Sequence, residues 1–260
     1  MEKVLTVDEV KQIELTILKE VADFCDSNGI KYFLLGGTLL GAIRHEGFIP
    51  WDDDIDIGMM REDYNKFCRL FSSPNLSLHK PGDKRYSYSF AKVSKKGTVL
   101  REFETRYQDT FGIYIDVFPL NDIPDDSVKY FKKLRLYKIL LSIKSTRLFK
   151  KRSFTKFIVL LFSKVLFSLV PVECIVKKID KYTGSFANCN YVGNTSWGYG
   201  EREKTRKEVF SNSITVPFEE FAFTVPSAYD EWLRNIFGDY LKLPPVEKRV
   251  SEHNFEAKIL

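Results

Sequence analysis

Apolar residues at Val10, Ile13, Ile17, Val21 and Phe24, with Leu18 beside them, follow the spacing of one helical face. Thr6-Val7-Asp8-Glu9 reads as a capping box, its hydroxyl and carboxylate satisfying free amides at the helix start, and Gly29 as the stop. Residues 31–35, KYFLL, form a short buried strand that delivers Gly36-Gly37, and Thr38 is placed to cap a following helix, TLLGAIRHEG. Pro50-Trp51 then breaks the helical pattern. Asp54-Ile55-Asp56-Ile57 alternates with the period of a strand, which puts Asp54 and Asp56 on one face about 7 Å apart and turns Ile55 and Ile57 to the core.

Farther along, residues 61–71 predict a helix with Tyr64, Phe67, Cys68 and Phe71 inward, and two or three strands follow between 76 and 103. GIYIDVF, 112–118, alternates again: Ile113, Ile115 and Val117 face one way, Tyr114, Asp116 and Phe118 the other. Residues 127–182 read as two or three helices. The C-terminal part holds a glycine- and aromatic-rich loop (GNTSWGYGEREK), a short strand region (FEEFAFTV), and a helix SAYDEWLRNIF opened by Pro226 and ended by Gly238. The pattern predicts three regions: 1–124, 125–190 as a helical insertion, and 191–260 completing the first.

Composition adds little except in charge. The 260 residues are 44% hydrophobic and 29% charged, which excludes a disordered chain. MEKVLTVDEV is charged and amphipathic rather than a signal sequence. Cys25, Cys68, Cys174 and Cys189 are widely spaced core thiols that fit a reduced, cytoplasmic protein. Residues 129–181, however, carry 15 Lys and Arg against only Glu173 and Asp180, a balance of +13; the remainder has 25 bases and 33 acids, or −8. This basic segment is either a helical hairpin packed on the domain or a peripheral contact with an anionic membrane at its inner face. Its most apolar run, FIVLLFSKVLFSLV, is too short to span a bilayer of about 30 Å. An acidic body around one basic region gives no nucleic-acid reading.

Glycines let a backbone approach phosphate, and clustered carboxylates hold the cation that phosphate needs. GGTLLGAIRHEGFIPWDDDID joins both, so it points to metal-dependent phosphoryl or nucleotidyl transfer. An EF-hand fails, since the sixth position from Asp52 is Ile57 and the twelfth Asp63. No P-loop, GxGxxG or GxSxG motif is present, and three histidines do not suggest a multi-histidine zinc centre. Hard carboxylates favour Mg²⁺ or Mn²⁺, two ions being able to serve attacking and leaving oxygens together. Asp116, in an apolar strand, is either the third carboxylate of this site or a structural partner of a core lysine.

The blocks GGTLLGAIRHEGFIPWDDDIDIGMMREDY, GIYIDVFPL and FGDYLKLPPVEKRVSEH resemble the LicD family of phosphotransferases, which is related to fukutin-type enzymes. The resemblance covers most of the chain apart from the basic segment. It implies an α+β, nucleotidyltransferase-like fold, a mixed sheet flanked by helices, although the spacer between GG and DxD is longer than in the usual signature. It further implies a CDP-linked donor (CDP-choline, CDP-ribitol or CDP-glycerol), whose phospho-alcohol passes to a sugar hydroxyl, often on a bacterial glycan precursor, as CMP leaves.

Carried onto this sequence, Asp54, Asp56 and Asp116 hold metal, Asp52 stands beside them, and Asp116 is a candidate base. Gly36, Gly37 and Thr38 bind donor phosphate, and Arg44, Lys92, Lys248 and Arg249 are candidates to neutralise phosphate oxygens. Two other readings stand beside this one: nucleoside monophosphate transfer from an NTP with release of pyrophosphate, and a non-catalytic membrane-surface scaffold.

Overall fold

A computed structural model of the chain describes residues 3–102, 111–145, 154–166, 169–197, 199–250 and 255–260. The chain opens with β1 (Lys3–Val4), α1 (Val7–Ser27), β2 (Phe33–Leu34) and α2 (Gly36–His45). Then come β3 (Asp56–Met60), α3 (Arg61–Leu70), β4 (Leu76–His79), β5 (Ala91–Lys95), β6 (Thr98–Glu102) and β7 (Tyr114–Ile123). The basic segment forms α4 (Ser127–Ser145), α5 (Phe154–Leu166) and α6 (Val172–Thr183). The chain closes with β8 (Tyr191–Asn194), β9 (Thr205–Arg206), β10 (Ser213–Phe218), β11 (Phe221–Pro226), α7 (Tyr229–Phe237) and β12 (Phe255–Ile259).

The fold is mixed α and β. Its main sheet runs β2-β3-β7-β5-β4, with β8 joined to the distal half of β7 and β9 to β8. Only β3 and β7 are parallel; the other neighbours run antiparallel. β7 is the organising strand because it is long enough to pair with β3 on one side and with β5 and then β8 on the other. Its inward residues Ile115 and Val117, and Ile113 just before it, are fully buried, as the alternation predicts. β1, β12 and β6 make a second sheet, and β10–β11 a hairpin.

α1 starts as expected: Thr6 Oγ1 accepts from Glu9 N, and the Glu9 carboxylate accepts from Thr6 N. Several boundaries differ from the sequence reading. α2 begins at Gly36, with Leu35 at the N-cap position and no side chain capping its amides, so Thr38 is not its cap. β3 begins at Asp56 rather than Asp54, although the Ile55 carbonyl still accepts from Asp116 N and so continues the ladder. The short strand region expected at 218–225 belongs to a hairpin turning at Glu219-Glu220, and Pro226 ends β11 instead of opening α7. The four cysteines are free, but only Cys25 is fully buried and Cys174 is exposed.

Most apolar side chains join one core. A satellite cluster of Ile123, Tyr130, Leu134, Ile175 and Ile179 packs α4 and α6 together over the end of β7. Arg61 fastens α6 to the sheet: its guanidinium donates to Asp180 Oδ1 at 2.7 Å and to Asn121 Oδ1 of β7. Among the described residues no helix is long and apolar enough to cross a membrane.

Candidate active site

The turn from β2 into α2 faces the start of β3, and between them opens a cleft of about 620 Å³. Gly36, Gly37, Arg44, Asp52, Asp53, Asp54, Asp56 and Lys248 line it, with Trp51, Trp197, Tyr199 and Tyr240 as aromatic walls. The two glycines are needed for room. A Cβ on Gly36, whose φ is +56°, would lie 2.7 Å from Asp56 Oδ2 and 2.8 Å from the Trp197 ring; one on Gly37 would lie 2.0 Å from Asp52 Oδ2. The glycine turn is therefore moulded around the site's own carboxylates, beside the uncapped amino end of α2, where backbone amides favour an anion.

Thr38 is buried and does not line the cleft; its hydroxyl accepts from Asp56 N at 2.8 Å and so fixes the first residue of β3. Asp56 is the register partner of Asp116 on the parallel neighbour, about 4.8 Å away across the sheet. Asp116 is in turn the register partner of Lys92, and Lys92 of His79, giving one row across four strands. Lys92 Nζ lies 2.6 Å from Asp116 Oδ1. The ammonium is 3.6 Å from the Tyr114 ring centroid and 4.5 Å from that of Tyr88. Lys92, expected at donor phosphate, is 2% exposed, paired with Asp116 and not among the residues that line the cleft. Asp116 is thus paired with a core lysine on one side and stands next to Asp56 on the other.

Arg44 lines the cleft and is held by donation from Nη1 to the Tyr240 carbonyl at 2.8 Å. Burial first, and the charge of Arg249 second, draw it below its ordinary value. Arg249 lies over the Trp51 ring, 5.6 Å from its centroid, and donates to the Pro244 carbonyl. His253, the last charged residue of that motif, falls outside the described residues.

The electrostatics are those of crowded, partly buried carboxylates. Burial, then Asp54, Asp116 and Asp52, push the Asp56 carboxyl well above the usual range, with Lys92 pulling the other way. Glu14 of α1, which sequence reasoning missed, is 2% exposed and pushed well above its ordinary value by burial and then by Asp54, Asp53 and Asp116. Among the described residues its Oε2 is buried without a hydrogen-bond partner. The signal was legible, since Glu14 stands four residues from both Val10 and Leu18, on the stripe that should be apolar. Oxygen-only donors that repel one another at this density fit a hard divalent cation. Among the described residues no three His, Cys, Asp or Glu side chains form a ready cage. An ion held here would thus complete its shell with water and phosphate oxygens.

Lys138 of α4 is the second group missed. It donates to the carbonyls of Ser196 and Trp197, and so ties the basic segment to the cleft wall. Burial brings it down to about 8, opposed by Glu203; burial likewise raises fully buried Glu203 to about 8, opposed by Lys138.

Residues 29–154 match the family model described as LicD/FKTN/FKRP, nucleotidyltransferase domain. The lipopolysaccharide cholinephosphotransferase LicD of Haemophilus influenzae is 33% identical over 270 residues, 99% of this chain and 100% of that protein. The chain belongs to the LicD family. Human ribitol 5-phosphate transferase FKRP is also similar, 29% identical over 115 residues, which cover 40% of this chain and 20% of that protein. The matched region contains the glycine turn, the aspartate run and Asp116, and this chain is a phosphotransferase, as both named relatives are.

Proposed function

We propose that this LicD-family chain transfers a phosphorylated alcohol, phosphocholine in first place, from a CDP-linked donor to a sugar hydroxyl of a cell-surface glycan or its lipid-linked precursor, releasing CMP. The observation that carries this reading is one cleft holding the amino end of α2, the aspartate run and Arg44 with Lys248. The two relatives support it, one named for phosphocholine and lipopolysaccharide, the other for ribitol 5-phosphate.

In this reading the Gly36 and Gly37 turn receives donor phosphate. Arg44, Lys248 and Arg249 balance the charge that gathers on the phosphate and on departing CMP. Mg²⁺ or Mn²⁺, one or two ions held by Asp54 and Asp56 with Asp52 alongside, would supply Lewis-acid stabilisation of the diphosphate. Asp54 is only partly buried and faces the cleft, so it is better placed than Asp116 to take the acceptor's proton. Asp116 keeps Lys92 behind Asp56 and sets the local charge.

Phosphocholine ranks ahead of a phospho-polyol because the cleft has aromatic walls. Trp197 and Tyr199 meet edge to face with centroids 6.2 Å apart, and Asp239 lines the same cleft. A quaternary ammonium group is attracted to ring faces and to a carboxylate. A thermal-shift panel with Mg²⁺ tests the choice. CDP-choline should raise Tm more than CDP-ribitol, CDP-glycerol or any NTP. A larger shift with an NTP, accompanied by pyrophosphate release, would replace this reading with nucleotidyl transfer.

A further inference from the structure

Helix α5 carries an apolar stripe that the described residues leave uncovered. Ile158, Leu161, Phe162, Val165 and Leu166 are 45%, 38%, 70%, 65% and 67% exposed. Steps of three and four residues put them along one side of the helix. Leu169, just beyond it, is 93% exposed. The neighbouring helices differ, because α4 and α6 bury their apolar sides against each other. α5 itself is attached at one end of α4, where Lys164 Nζ donates to the Lys144 carbonyl at 3.1 Å.

An apolar stripe of this kind suits either a second copy of the chain or a lipid surface, and charge separates the two. The stripe lies inside residues 129–181, with 15 Lys and Arg against two acids. Lys129, Lys132, Lys133 and Arg135 on α4 and Lys177, Lys178 and Lys181 on α6 are exposed. A second copy would bring the same cationic segment against itself, whereas acidic headgroups would attract it. The 13 residues of α5 span about 20 Å, short of a hydrocarbon core of about 30 Å. The helix is therefore built to lie in the interface and not to cross it.

We propose that α5 is a membrane-docking helix. Its Ile158–Leu166 stripe enters the acyl boundary of an anionic bilayer while the Lys and Arg of the same segment meet acidic headgroups. This inference is independent of the reaction the cleft performs.

Co-sedimentation of the full chain with vesicles tests it. Binding to equimolar phosphatidylcholine and phosphatidylglycerol should exceed binding to phosphatidylcholine alone by at least about tenfold and weaken with added salt. Phe162→Asp with Leu166→Asp should lower it by at least about tenfold, with an unchanged circular dichroism spectrum. A separate Phe162→Trp variant should show blue-shifted emission and quenching by brominated lipid. Equal binding to neutral vesicles, full binding by the double variant, or unmoved emission at position 162 would each overturn the proposal. So would a dimer by light scattering that the double variant abolishes, since the stripe would then belong to a second copy.

Discussion

Lys92 and Asp116 face each other across β5 and β7, with Nζ 2.6 Å from Oδ1 and the lysine only 2% exposed. A buried pair contributes little relative to two apolar groups, but removing one member strands the other. Lys92→Met should therefore destabilise the fold by roughly 3–5 kcal/mol, measured by denaturant unfolding. Adding Asp116→Asn should recover a large part of that loss. Additive losses in the double variant would show that the two side chains do not act as a pair.

Gly36 and Gly37 are space for carboxylates. Gly37→Ala sets a methyl group 2.0 Å from the Asp52 Oδ2 position, and Gly36→Ala adds a positive φ and a collision with Asp56 and Trp197. Each should lower kcat/KM for CMP release by about a hundredfold or more, since small displacements of reacting groups cost that much. Near-parental rates from Gly37→Ala would mean that Asp52 can move aside without consequence.

Glu14 gives a pH dependence with a definite sign. Its folded pKa is raised above the ordinary 4.5 by burial first and then by Asp54, Asp53 and Asp116. The folded state thus binds the proton more tightly than the unfolded one, and stability falls as pH rises above the ordinary value. Glu14→Gln, which imitates the protonated form, should raise Tm at pH 8 and leave it unchanged at pH 4. A lower Tm at pH 8 would show that the ionised carboxylate is stabilised by a cation or donor.

Lys138 holds the Trp197 backbone from α4. Lys138→Met should loosen the cleft wall, raising KM for the donor by about tenfold with a smaller effect on kcat. Loss of kcat at constant KM would instead place Lys138 in the chemical step.

The site was legible where one residue type has one purpose. The glycine pair, the alternating aspartates and the carboxylate on an apolar strand identified β3, β7 and the α2 turn, because alternation fixes which face each side chain takes. Partnerships across the sheet were not legible. Nothing local says that Lys92 stands opposite Asp116, and so Lys92 was read as a phosphate ligand. Thr38 looked like a cap because hydroxyls at helix starts usually are, but here a distant amide, that of Asp56, takes it. Glu14 broke an apolar stripe in plain view, and only folding brought it beside the aspartates.

In the proposed function the Asp54–Asp56 pair serves metal-dependent release of CMP from a CDP-alcohol. The most direct measurement is CMP formation from CDP-choline with a glycan acceptor, with and without Mg²⁺, in the parent, Asp54→Ala and Asp56→Ala. Mg²⁺-dependent CMP is expected in the parent, abolished by chelation and reduced by about a thousandfold or more in each variant. CMP released as fast by both variants as by the parent would contradict it.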